Sequence, residues 1–472
     1  MHDCCAVAGV YAHEEDVARL TFFTLFALQH RGQESSGIAT ADGKKIQLYT
    51  NMGLVTQVFT EDALSQLTGY IAIGHNRYST SGASQVCNAQ PILVGKGSDT
   101  IAIAHNGNIV NVKHLYEELS DMGYTFNSST DTEVIANLII SSPEKDLVDK
   151  IRYAMRRLQG VYSLTIMTKD RLFGVRDPLG LRPLCLGAIN GNGWVLASES
   201  CALDHIGADF IREVEPGEIV SIGENGIESH PGEESKRALC IFEYIYFARP
   251  DSTINGRLLY QARYDMGMGL AIEHPVDADL VVGVPDSAMA AAVGYSHQSG
   301  ISLTEGLVKN RYVGRTFIEP DQRIRDLGVK LKFNPLPQVL DGKRIVLVDD
   351  SIVRGTTTPQ VIKLLRKAGA KEVHMRVCAP PIRYPCFFGV DMATYHELIA
   401  VRKTVPEIRD CIGADSLGYL SVDGLIKAVG LPKDNFCLAC FTGDYPIPIQ
   451  IGMDKLALEP SETSKQVPLN IK

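Results

Sequence analysis

The sequence lacks an uninterrupted apolar run that approaches the roughly 20 residues of a membrane span. Its first residues also lack the basic and then apolar order of a secretory signal. The 472 residues carry a net charge of −9, so there is no general basic excess for binding nucleic acid or an anionic membrane. No internal repeat is visible. These absences predict a cytoplasmic protein with no membrane or nucleic-acid partner.

Cysteine occurs 11 times, an odd number spread over a long chain, which fits a secreted disulfide framework poorly. Reduced thiols are then expected as ligands, nucleophiles or small hydrophobic residues of a core. The cysteines expected to be core or incidental are Cys87, Cys185, Cys201, Cys378 and Cys411.

The length predicts two or three domains with large cores. Residues 5–235 alternate short apolar runs, such as AVAGVYA and YIAIGHN, with stretches of helical spacing, which predicts an α+β domain with much antiparallel sheet. A polar, glycine-rich connector lies at 223–237. Across residues 255–410, apolar strands lead into loops and helices, an order that predicts an α/β domain with a mainly parallel sheet. Residues 411–472 are expected to form a carboxy-terminal segment that ends in a loose polar tail.

The stretch IVLVDDSIVRGTTT, residues 345–358, places two acids directly after an apolar strand and three threonines where a helix begins. Backbone N–H groups at a helix start, with hydroxyls and a glycine that permits close approach, suit a phosphate. Asp349 and Asp350 would repel a phosphate in their own pocket, so they must address a neighbouring group. A ribose with a divalent metal meets this requirement, because carboxylates accept from sugar hydroxyls and Mg²⁺ prefers oxygen ligands. The loop therefore predicts a sugar phosphate, with a solvated acidic turn as the alternative.

The segment VLVDDSIVRGTT resembles the phosphoribosyl diphosphate motif of type I phosphoribosyltransferases. The resemblance implies that the acidic pair serves the ribose and its Mg²⁺, while the following loop holds the 5-phosphate. VVGVPDSAMAA is similar to the family's pyrophosphate loop, and the basic stretch 308–335 to its mobile flap. The residues thereby implied to bind phosphoribosyl diphosphate are Asp286, Ser287, Lys330, Asp349, Asp350, Arg354, Gly355, Thr356, Thr357 and Thr358. The implied Mg²⁺ ligands are Ser287, Asp349 and Asp350.

Five segments of the first half, in order CAVAGV, LQHRGQESSGIA, GHNRYST, AHNGNI and STDTE, resemble the N-terminal-nucleophile glutamine amidotransferases. The resemblance implies an αββα sandwich and a chain that is cut so that a cysteine becomes its first residue. A thiolate is a strong nucleophile, and a terminal amine of pKa near 8 is a base within reach. The family pattern of cysteine, any, valine, any, glycine fits Cys5 better than Cys4 and implies a propeptide of residues 1–4. Which of the two cysteines becomes the first residue stays open.

Attack on a glutamine amide produces an oxyanion, and hydrogen-bond donors must already be positioned to stabilise it. By the resemblance, Asn106 and the Gly107 N–H form this oxyanion hole beside the catalytic Cys5. Arg77 would clamp the glutamine α-carboxylate, and Asp131 would receive its α-ammonium group. The residues implied to bind glutamine are Arg31, Gly32, Arg77 and Asp131.

FCLACF supplies Cys437 and Cys440 at C-x-x-C spacing, which alone is too little to define a metal site. Cys240 and Cys386 are candidates to complete a tetrahedral thiolate set. Their contexts resemble the cluster-bearing branch of the glutamine phosphoribosylpyrophosphate amidotransferases, which implies a [4Fe–4S] cluster with a structural or oxygen-sensing role. Zinc would accept the same ligands, and a dithiol pair or core cysteines is a third alternative.

Over residues 5–446 the chain resembles that amidotransferase family. The resemblance implies an enzyme that moves nitrogen from glutamine to phosphoribosyl diphosphate, giving 5-phosphoribosylamine for purine synthesis. It also implies a homotetramer that purine nucleotides inhibit. Other amidotransferases of this nucleophile class are disfavoured by the acidic pair. A catalytically inactive nucleotide-sensing regulator is disfavoured by the intact Cys5, Lys330 and Arg354, and an iron–sulfur electron carrier would need a second redox site that we do not find.

Overall fold

The computed structural model describes residues 5–78, 82–232, 235–310, 332–390, 392, 394–449 and 458. The predicted propeptide, residues 1–4, and Lys330 of the predicted flap lie outside these residues. The chain forms two compact units. The amino-terminal unit runs to Arg237 and also contains the short segment Phe387–Asp391, while the carboxy-terminal unit contains Ala238–Cys386 and Met392–Pro446.

The strands of the amino-terminal unit are short and mostly buried. They are β1 (Ala6–Tyr11), β2 (Ser35–Ala41), β3 (Ile46–Met52), β4 (Ile71–Arg77), β5 (Ile92–Val94), β6 (Ile101–Ile109), β7 (Gly160–Met167), β8 (Leu172–Arg176), β9 (Cys185–Ile189), β10 (Gly193–Ala197), β11 (Asp209–Glu213), β12 (Ile219–Gly223) and β13 (Gly226–His230). One sheet has the order β11-β9-β10-β1-β4-β2-β3, and the other has the order β13-β12-β8-β7-β6-β5. The strand pairs of both sheets are antiparallel.

Helices cover the outer face of each sheet. They are α1 (Val17–Ala27), α2 (Val55–Val58), α3 (Glu61–Gln66), α4 (Val112–Asp121), α5 (Asp131–Ile140), α6 (Leu147–Arg157) and α7 (Ser200–His205). An apolar core between the sheets includes Ile73 from one sheet and Leu172 from the other. A second core joins α1 and α7 to the first sheet, and a third joins α4, α5 and α6 to the second. The unit is therefore a helix, sheet, sheet, helix sandwich.

Strand β1 is buried on both faces, and its side chains divide between the core that lies between the sheets and the cores beneath the helices. Val7 and Tyr11 enter the core between the sheets, whereas Ala6 and Val10 enter the core beneath the helices. Because side chains two residues apart share a face, Cys5 continues the row that faces the second sheet.

Strand β6 of the second sheet divides its side chains in the same way. Ala102 and Ala104 enter the core between the sheets, while Ile103 enters the core under the helices. Asn106 continues the first of these rows, since its pairing with β7 is regular along the whole strand. Cys5 and Asn106 thus face the same space from opposite sheets.

The carboxy-terminal unit contains β14 (Leu239–Cys240), β15 (Thr253–Ile254), β16 (Arg257–Leu258), β17 (Leu280–Gly283), β18 (Leu307–Lys309), β19 (Phe333–Pro335), β20 (Arg344–Asp349), β21 (Glu372–Val377), β22 (Ser416–Tyr419) and β23 (Phe436–Cys437). Its main sheet is parallel throughout and has the order β17-β20-β21-β22. β14 pairs with β23 in parallel, while β15 with β16 and β18 with β19 form antiparallel pairs.

Helices connect the parallel strands of this unit. They are α8 (Leu259–Glu273), α9 (Met289–Ser299), α10 (Pro337–Leu340), α11 (Thr357–Lys367), α12 (Ile399–Arg402), α13 (Val405–Ile412), α14 (Val422–Val429) and α15 (Ala439–Thr442), with one π-helical turn at Glu243–Phe247. Parallel strands place their carboxyl ends at one edge, so the loops after β17 and β20 lie side by side. The Val284 N–H donates to the Val348 carbonyl at 2.9 Å and joins these strand ends. None of the described helices has both the length and the apolar character that a membrane span needs.

Candidate functional site

Cys5 lies directly before β1 and is buried, with 4% of its surface exposed. Its thiol donates to the Tyr78 carbonyl at 3.1 Å, and the Tyr78 N–H donates to the sulfur at 3.4 Å. Burial raises the pKa of the Cys5 thiol from 9 to about 11, although the Tyr78 backbone and the charge of Arg77 oppose this rise. A chain that begins before Cys5 therefore holds this sulfur as a protonated thiol at neutral pH.

The high pKa predicts how Cys5 reacts in the chain that retains residues 1–4. Below its pKa of about 11 the thiolate fraction grows tenfold with each pH unit, so the rate of alkylation by iodoacetamide should still climb about tenfold per unit from pH 8 to 10. Peptide mapping by mass spectrometry measures this rate. The control is the denatured chain, in which thiols titrate near about 8.5 and the rate levels off above that pH. A native rate that levels off by pH 9 would contradict the assigned burial.

A buried ion pair holds the backbone of Cys5. The Arg31 guanidinium donates through Nε to the Cys5 carbonyl at 3.1 Å and through Nη1 to the Glu199 carboxylate at 2.6 Å. His30 contacts the same carboxylate at 2.7 Å. Burial opposes ionisation of Glu199, but His30 and Arg31 together hold its pKa well below the usual range. Sequence reasoning missed Glu199, since no motif marked the ASES segment that follows β10.

Asn106 in β6 is 1% exposed, and its Nδ2 atom has no hydrogen-bond partner among the residues that the structure describes. A buried amide N–H without an acceptor costs free energy, so its presence indicates a group that arrives with the substrate. His75 braces the strand, because its Nε2 contacts the His105 carbonyl across the space between the sheets at 3.0 Å. The chemistry that fits this donor is stabilisation of an oxyanion.

Two glycines allow close approach of the backbone around this space. A Cβ atom added at Gly107 would lie 1.9 Å from the Val161 carbonyl oxygen, and one at Gly32 would lie 2.6 Å from the Asn76 carbonyl carbon and oxygen. Because neither contact involves the end of a flexible side chain, both positions require glycine in this structure.

Arg77 and Asp131 are both buried at the edge of this space. The Arg77 guanidinium donates to the carbonyls of Ala83 at 3.1 Å and Gly82 at 3.3 Å. The Asp131 carboxylate accepts from the Ile109 N–H at 3.2 Å and lies 3.5 Å from Nδ1 of His105. The charges of Arg77 and Asp131 both act on the Cys5 thiol. The structure thus links Arg31, Arg77 and Asp131 to Cys5. Of the other sequence-predicted residues, Asn106 and Gly107 follow one another in β6, and Gly32 lies against Asn76 of β4.

The acidic pair lies at the carboxyl end of β20 in the other unit. Asp350 is 7% exposed and accepts from the Ser287 hydroxyl at 2.5 Å. Its own N–H donates to the Asp349 carboxylate at 2.9 Å. Burial and then the charge of Asp350 raise the pKa of Asp349 well above its usual range. Sequence reasoning missed Tyr246. Burial, and then the charges of Asp350 and Asp349, raise the pKa of this phenol, which places it near the acidic pair.

The loop after the acidic pair runs into the amino end of α11. Gly355 has a φ of +69°, and a Cβ atom there would lie 2.5 Å from the Ile399 side chain. Thr356 and Thr357 are exposed, while Thr358 is buried. Arg354 donates to the Glu397 carboxylate at 3.3 Å. This arrangement offers hydroxyls and backbone N–H groups at the start of a helix, as a phosphate site requires.

A cavity of about 520 Å³ adjoins the loop after β17. Asp286 on its wall forms an ion pair with Lys309 at the end of β18. The residues that line this cavity are Gly283, Pro285, Asp286, Met289, Thr304, Glu305, Leu307, Val308 and Lys309. Asp286 is thus next to a volume large enough for a small polar ligand.

The four predicted cluster cysteines lie in one neighbourhood of the carboxy-terminal unit. Cys240 and Cys437 are direct partners in the β14–β23 pair. Burial raises the pKa of Cys440 well above its usual range, and the neighbouring thiols of Cys437, Cys240 and Cys386 raise it further. Nevertheless, in the part of the chain that the structure describes, no group of three or more His, Cys, Asp or Glu side chains is arranged to hold a metal ion.

Comparison with known proteins assigns both halves. The family described as "Glutamine amidotransferase domain" matches residues 75–205, and the family described as "Phosphoribosyl transferase domain" matches residues 261–383. An amidophosphoribosyltransferase from Synechococcus elongatus is 50% identical over 97% of this chain and 94% of its own. One from Methanocaldococcus jannaschii is 51% identical over 94% of this chain and 97% of its own.

A solved structure is also similar over almost the whole length. The glutamine phosphoribosylpyrophosphate amidotransferase from Bacillus subtilis, complexed with ADP and GMP, has a TM-score of 0.90 and 46% sequence identity. The match covers 96% of this chain and 100% of that one. The predicted fold class is confirmed: an αββα glutaminase domain followed by a phosphoribosyltransferase domain with a mainly parallel sheet.

Fold and matches together define a glutamine-dependent phosphoribosyl transferase, in which one domain takes nitrogen from an amide and the other has a pentosyltransferase fold. The chain belongs to the amidophosphoribosyltransferase family. Its activity is transfer of nitrogen from glutamine to phosphoribosyl diphosphate, the first step of purine biosynthesis. The alternative of an inactive regulator receives no support from these relatives.

Proposed function

We propose that Cys5 attacks the glutamine side-chain amide while Asn106 and the Gly107 N–H receive the oxyanion. The observation that carries this assignment is the buried Asn106 Nδ2 without a partner, in a row that faces the same space as Cys5. Loss of ammonia from the tetrahedral intermediate leaves a glutamyl thioester, which water then hydrolyses to glutamate.

The remaining charged groups of this site suit the two ends of the amino acid. Arg77 would bind the glutamine α-carboxylate, and Asp131 would bind its α-ammonium group. Each side chain is buried and fixed by hydrogen bonds to the backbone. Gly32 allows the loop to approach β4, and Arg31 holds the Cys5 carbonyl on the wall of the same pocket.

Replacement of Asn106 tests the proposed oxyanion hole. Asn106→Ala should lower the glutamine-dependent kcat by about 10²–10³-fold and leave KM for glutamine nearly unchanged, because the lost bond forms only in the transition state. Ammonia-dependent synthesis of phosphoribosylamine should be unaffected. The matched control is Asn137→Ala, since Asn137 is also a buried asparagine whose Nδ2 has no partner. Equal effects of the two variants on kcat would overturn the assignment.

For the second half-reaction we propose that Asp349 and Asp350 bind the ribose hydroxyls and, with Ser287, a Mg²⁺ ion. Asp350 is buried and accepts from the Ser287 hydroxyl, and the half-buried Asp349 carboxylate lies beside it, so the three side chains offer hard oxygen donors that fit this ion. Bound Mg²⁺ would neutralise the diphosphate as it leaves C1. The 5-phosphate is assigned to Arg354, Gly355, Thr356, Thr357 and Thr358. The diphosphate is assigned to Asp286 and Ser287, which would act through the bound metal, and to Lys330 of the flap.

We propose that Cys240, Cys386, Cys437 and Cys440 hold a [4Fe–4S] cluster. The support is the register of Cys240 with Cys437 and the proximity of Cys437, Cys240 and Cys386 to Cys440, whose pKa burial and then these three thiols raise. Sulfur ligands of this number suit iron–sulfur clusters or zinc, and the cluster is chosen by the resemblance to the cluster-bearing branch. It would fasten the carboxy-terminal segment to β14.

Elemental analysis distinguishes the cluster from its alternatives. Anaerobically purified protein should contain iron and acid-labile sulfide in near-equal amounts, and Cys437→Ser should lower both to a small fraction because one of four ligands is lost. The control is Cys411→Ser, which replaces an exposed cysteine. Zinc without sulfide, or the same iron content in both variants, would exclude the cluster.

The mature chain is proposed to begin at Cys5 after removal of residues 1–4, which supplies the α-amino base for the thiol. Amino-terminal sequencing of active protein tests this directly. We further propose a cytoplasmic homotetramer that purine nucleotides inhibit. The similarity to an enzyme whose solved structure carries ADP and GMP supports the nucleotide inhibition, and the homotetramer rests on the family resemblance.

A further inference from the structure

The segment Phe387–Asp391 belongs to the glutaminase unit although the chain on both sides of it belongs to the other unit. Its backbone is held by two side chains of the glutaminase sandwich. Asn108 Nδ2 donates to the Phe387 carbonyl at 2.9 Å, and Arg182 Nη2 donates to the Phe388 carbonyl at 2.7 Å. Asn108 lies in β6, two residues after Asn106. A piece of chain distant in sequence therefore contacts the strand that carries the proposed oxyanion hole.

The segment is seated firmly. Phe388 is among the largest fully buried side chains, at 1% exposure, and Val390 is 4% exposed. Full burial of an aromatic side chain stabilises the folded state, so Phe388 fixes the segment on the glutaminase unit.

Gly389 is the residue of this segment that lies next to Gly107 of the proposed oxyanion hole. Its φ is +91°, and a Cβ atom added there would lie 3.2 Å from the Gly107 carbonyl oxygen and 3.4 Å from Arg182 Nη2. A Cβ atom added at Gly107 would in turn lie 1.9 Å from the Val161 carbonyl oxygen of the neighbouring strand β7. The Gly107 backbone is thus enclosed between β7 and the segment, with little room to move.

We propose that residues 387–390 are a positioning element of the glutaminase reaction: by packing against the Gly107 carbonyl they restrain the backbone at Gly107, and with it the orientation of the preceding peptide, whose N–H is assigned to the oxyanion. The inference rests on the proposed role of Asn106 and Gly107 as the oxyanion hole. Hydrogen-bond donors stabilise an oxyanion only when they are held within hydrogen-bond distance of the developing charge. A contact that restrains the Gly107 backbone is therefore expected to affect kcat rather than glutamine binding. The carboxy-terminal half of the chain in this way completes the glutaminase site with its own residues.

The test compares Gly389→Ala with Gly226→Ala. Gly226 also has a φ of +91° in the glutaminase unit, but a Cβ atom there would have nothing within 4 Å, so it controls for the backbone conformation alone. Gly389→Ala should lower the glutamine-dependent kcat by about tenfold or more with KM for glutamine within about twofold, since small displacements of catalytic groups have effects of this size. Inhibition by the γ-aldehyde analogue of glutamine, whose thiohemiacetal oxygen occupies the hole, should weaken by a similar factor. Gly226→Ala should change neither quantity.

A second variant keeps the inference testable if Gly389→Ala does not fold. Asn108→Ala removes the bond to Phe387 without adding bulk and should lower kcat several-fold in the same direction. Ammonia-dependent synthesis, measured for every variant, shows that the phosphoribosyltransferase unit is folded, and the rate at which iodoacetamide alkylates Cys5 shows the same for the glutaminase unit. Suppose that Asn106→Ala lowers kcat while Gly389→Ala and Asn108→Ala have the same kcat as Gly226→Ala. The positioning role of residues 387–390 is then refuted, and the proposed oxyanion hole is retained. If Asn106→Ala leaves the glutamine-dependent kcat unchanged, both the proposed oxyanion hole and the positioning role of residues 387–390 are refuted.

Discussion

Replacement of Cys5 by serine is expected to lower glutamine-dependent synthesis of phosphoribosylamine by about 10⁴-fold or more while synthesis from added ammonia stays within about twofold. The oxygen nucleophile is intrinsically weaker, and no base other than the terminal amine is proposed for it. Ammonia supplied from solution bypasses the amide, so the second domain continues to work. Initial rates with glutamine and with ammonium at fixed phosphoribosyl diphosphate measure both reactions.

Cys185→Ser is the matched control for this prediction. Cys185 is also 4% exposed, and its thiol also donates to a backbone carbonyl, that of Ala197, at 3.1 Å. Both substitutions therefore exchange a buried, hydrogen-bonded sulfur for oxygen in the same unit, and they differ in position relative to Asn106. If Cys185→Ser lowers glutamine-dependent activity as much as Cys5→Ser, the loss reflects destabilisation and the nucleophile is misassigned.

Much of the fold was predictable because its elements carry strong local patterns. AVAGVYA and YIAIGHN were expected in the antiparallel sheets, and β1 and β4 occupy them. The run ARLTFFTLFALQHR has helical spacing, and α1 begins at Val17 and ends at Ala27. In the other unit, the apolar runs before PDS and DDS form neighbouring parallel strands, as the strand, loop, helix order predicts. Short apolar segments of this kind fix their own conformation once a core is available.

Contacts between distant segments were not predictable in the same way. Arg31 meets Glu199 at a separation of 168 positions, and neither residue shows a periodicity that points to the other. The placement of Phe387–Asp391 on the glutaminase sandwich is a similar case, because a single short segment has no pattern that names its unit. Such contacts depend on how whole elements pack, and only the three-dimensional structure contains that information.

The largest effect on the second half-reaction is expected from neutralising the acidic pair. The double variant Asp349→Asn, Asp350→Asn should lower synthesis by at least about 10²-fold with either nitrogen source, since electrostatic contacts to a transition state act on this scale. Asparagine keeps the shape of each side chain and removes the charges that would hold Mg²⁺ and the ribose. Cys5 should remain as reactive toward iodoacetamide as in the parent protein, which shows that the glutaminase unit is intact.

The control for this variant is Asp279→Asn at the opposite end of the same sheet. Asp279 accepts from Arg344 at the amino end of β20, whereas Asp349 ends the strand, so the two positions differ by the length of one strand. Parallel strands collect ligand-binding loops only at their carboxyl edge, so Asp279→Asn should leave both rates unchanged. A loss confined to glutamine as donor would place the acidic pair in the glutaminase reaction and contradict the proposed ribose and metal site. A loss with both donors, absent in the control, is the result that the proposed ribose and metal site predicts.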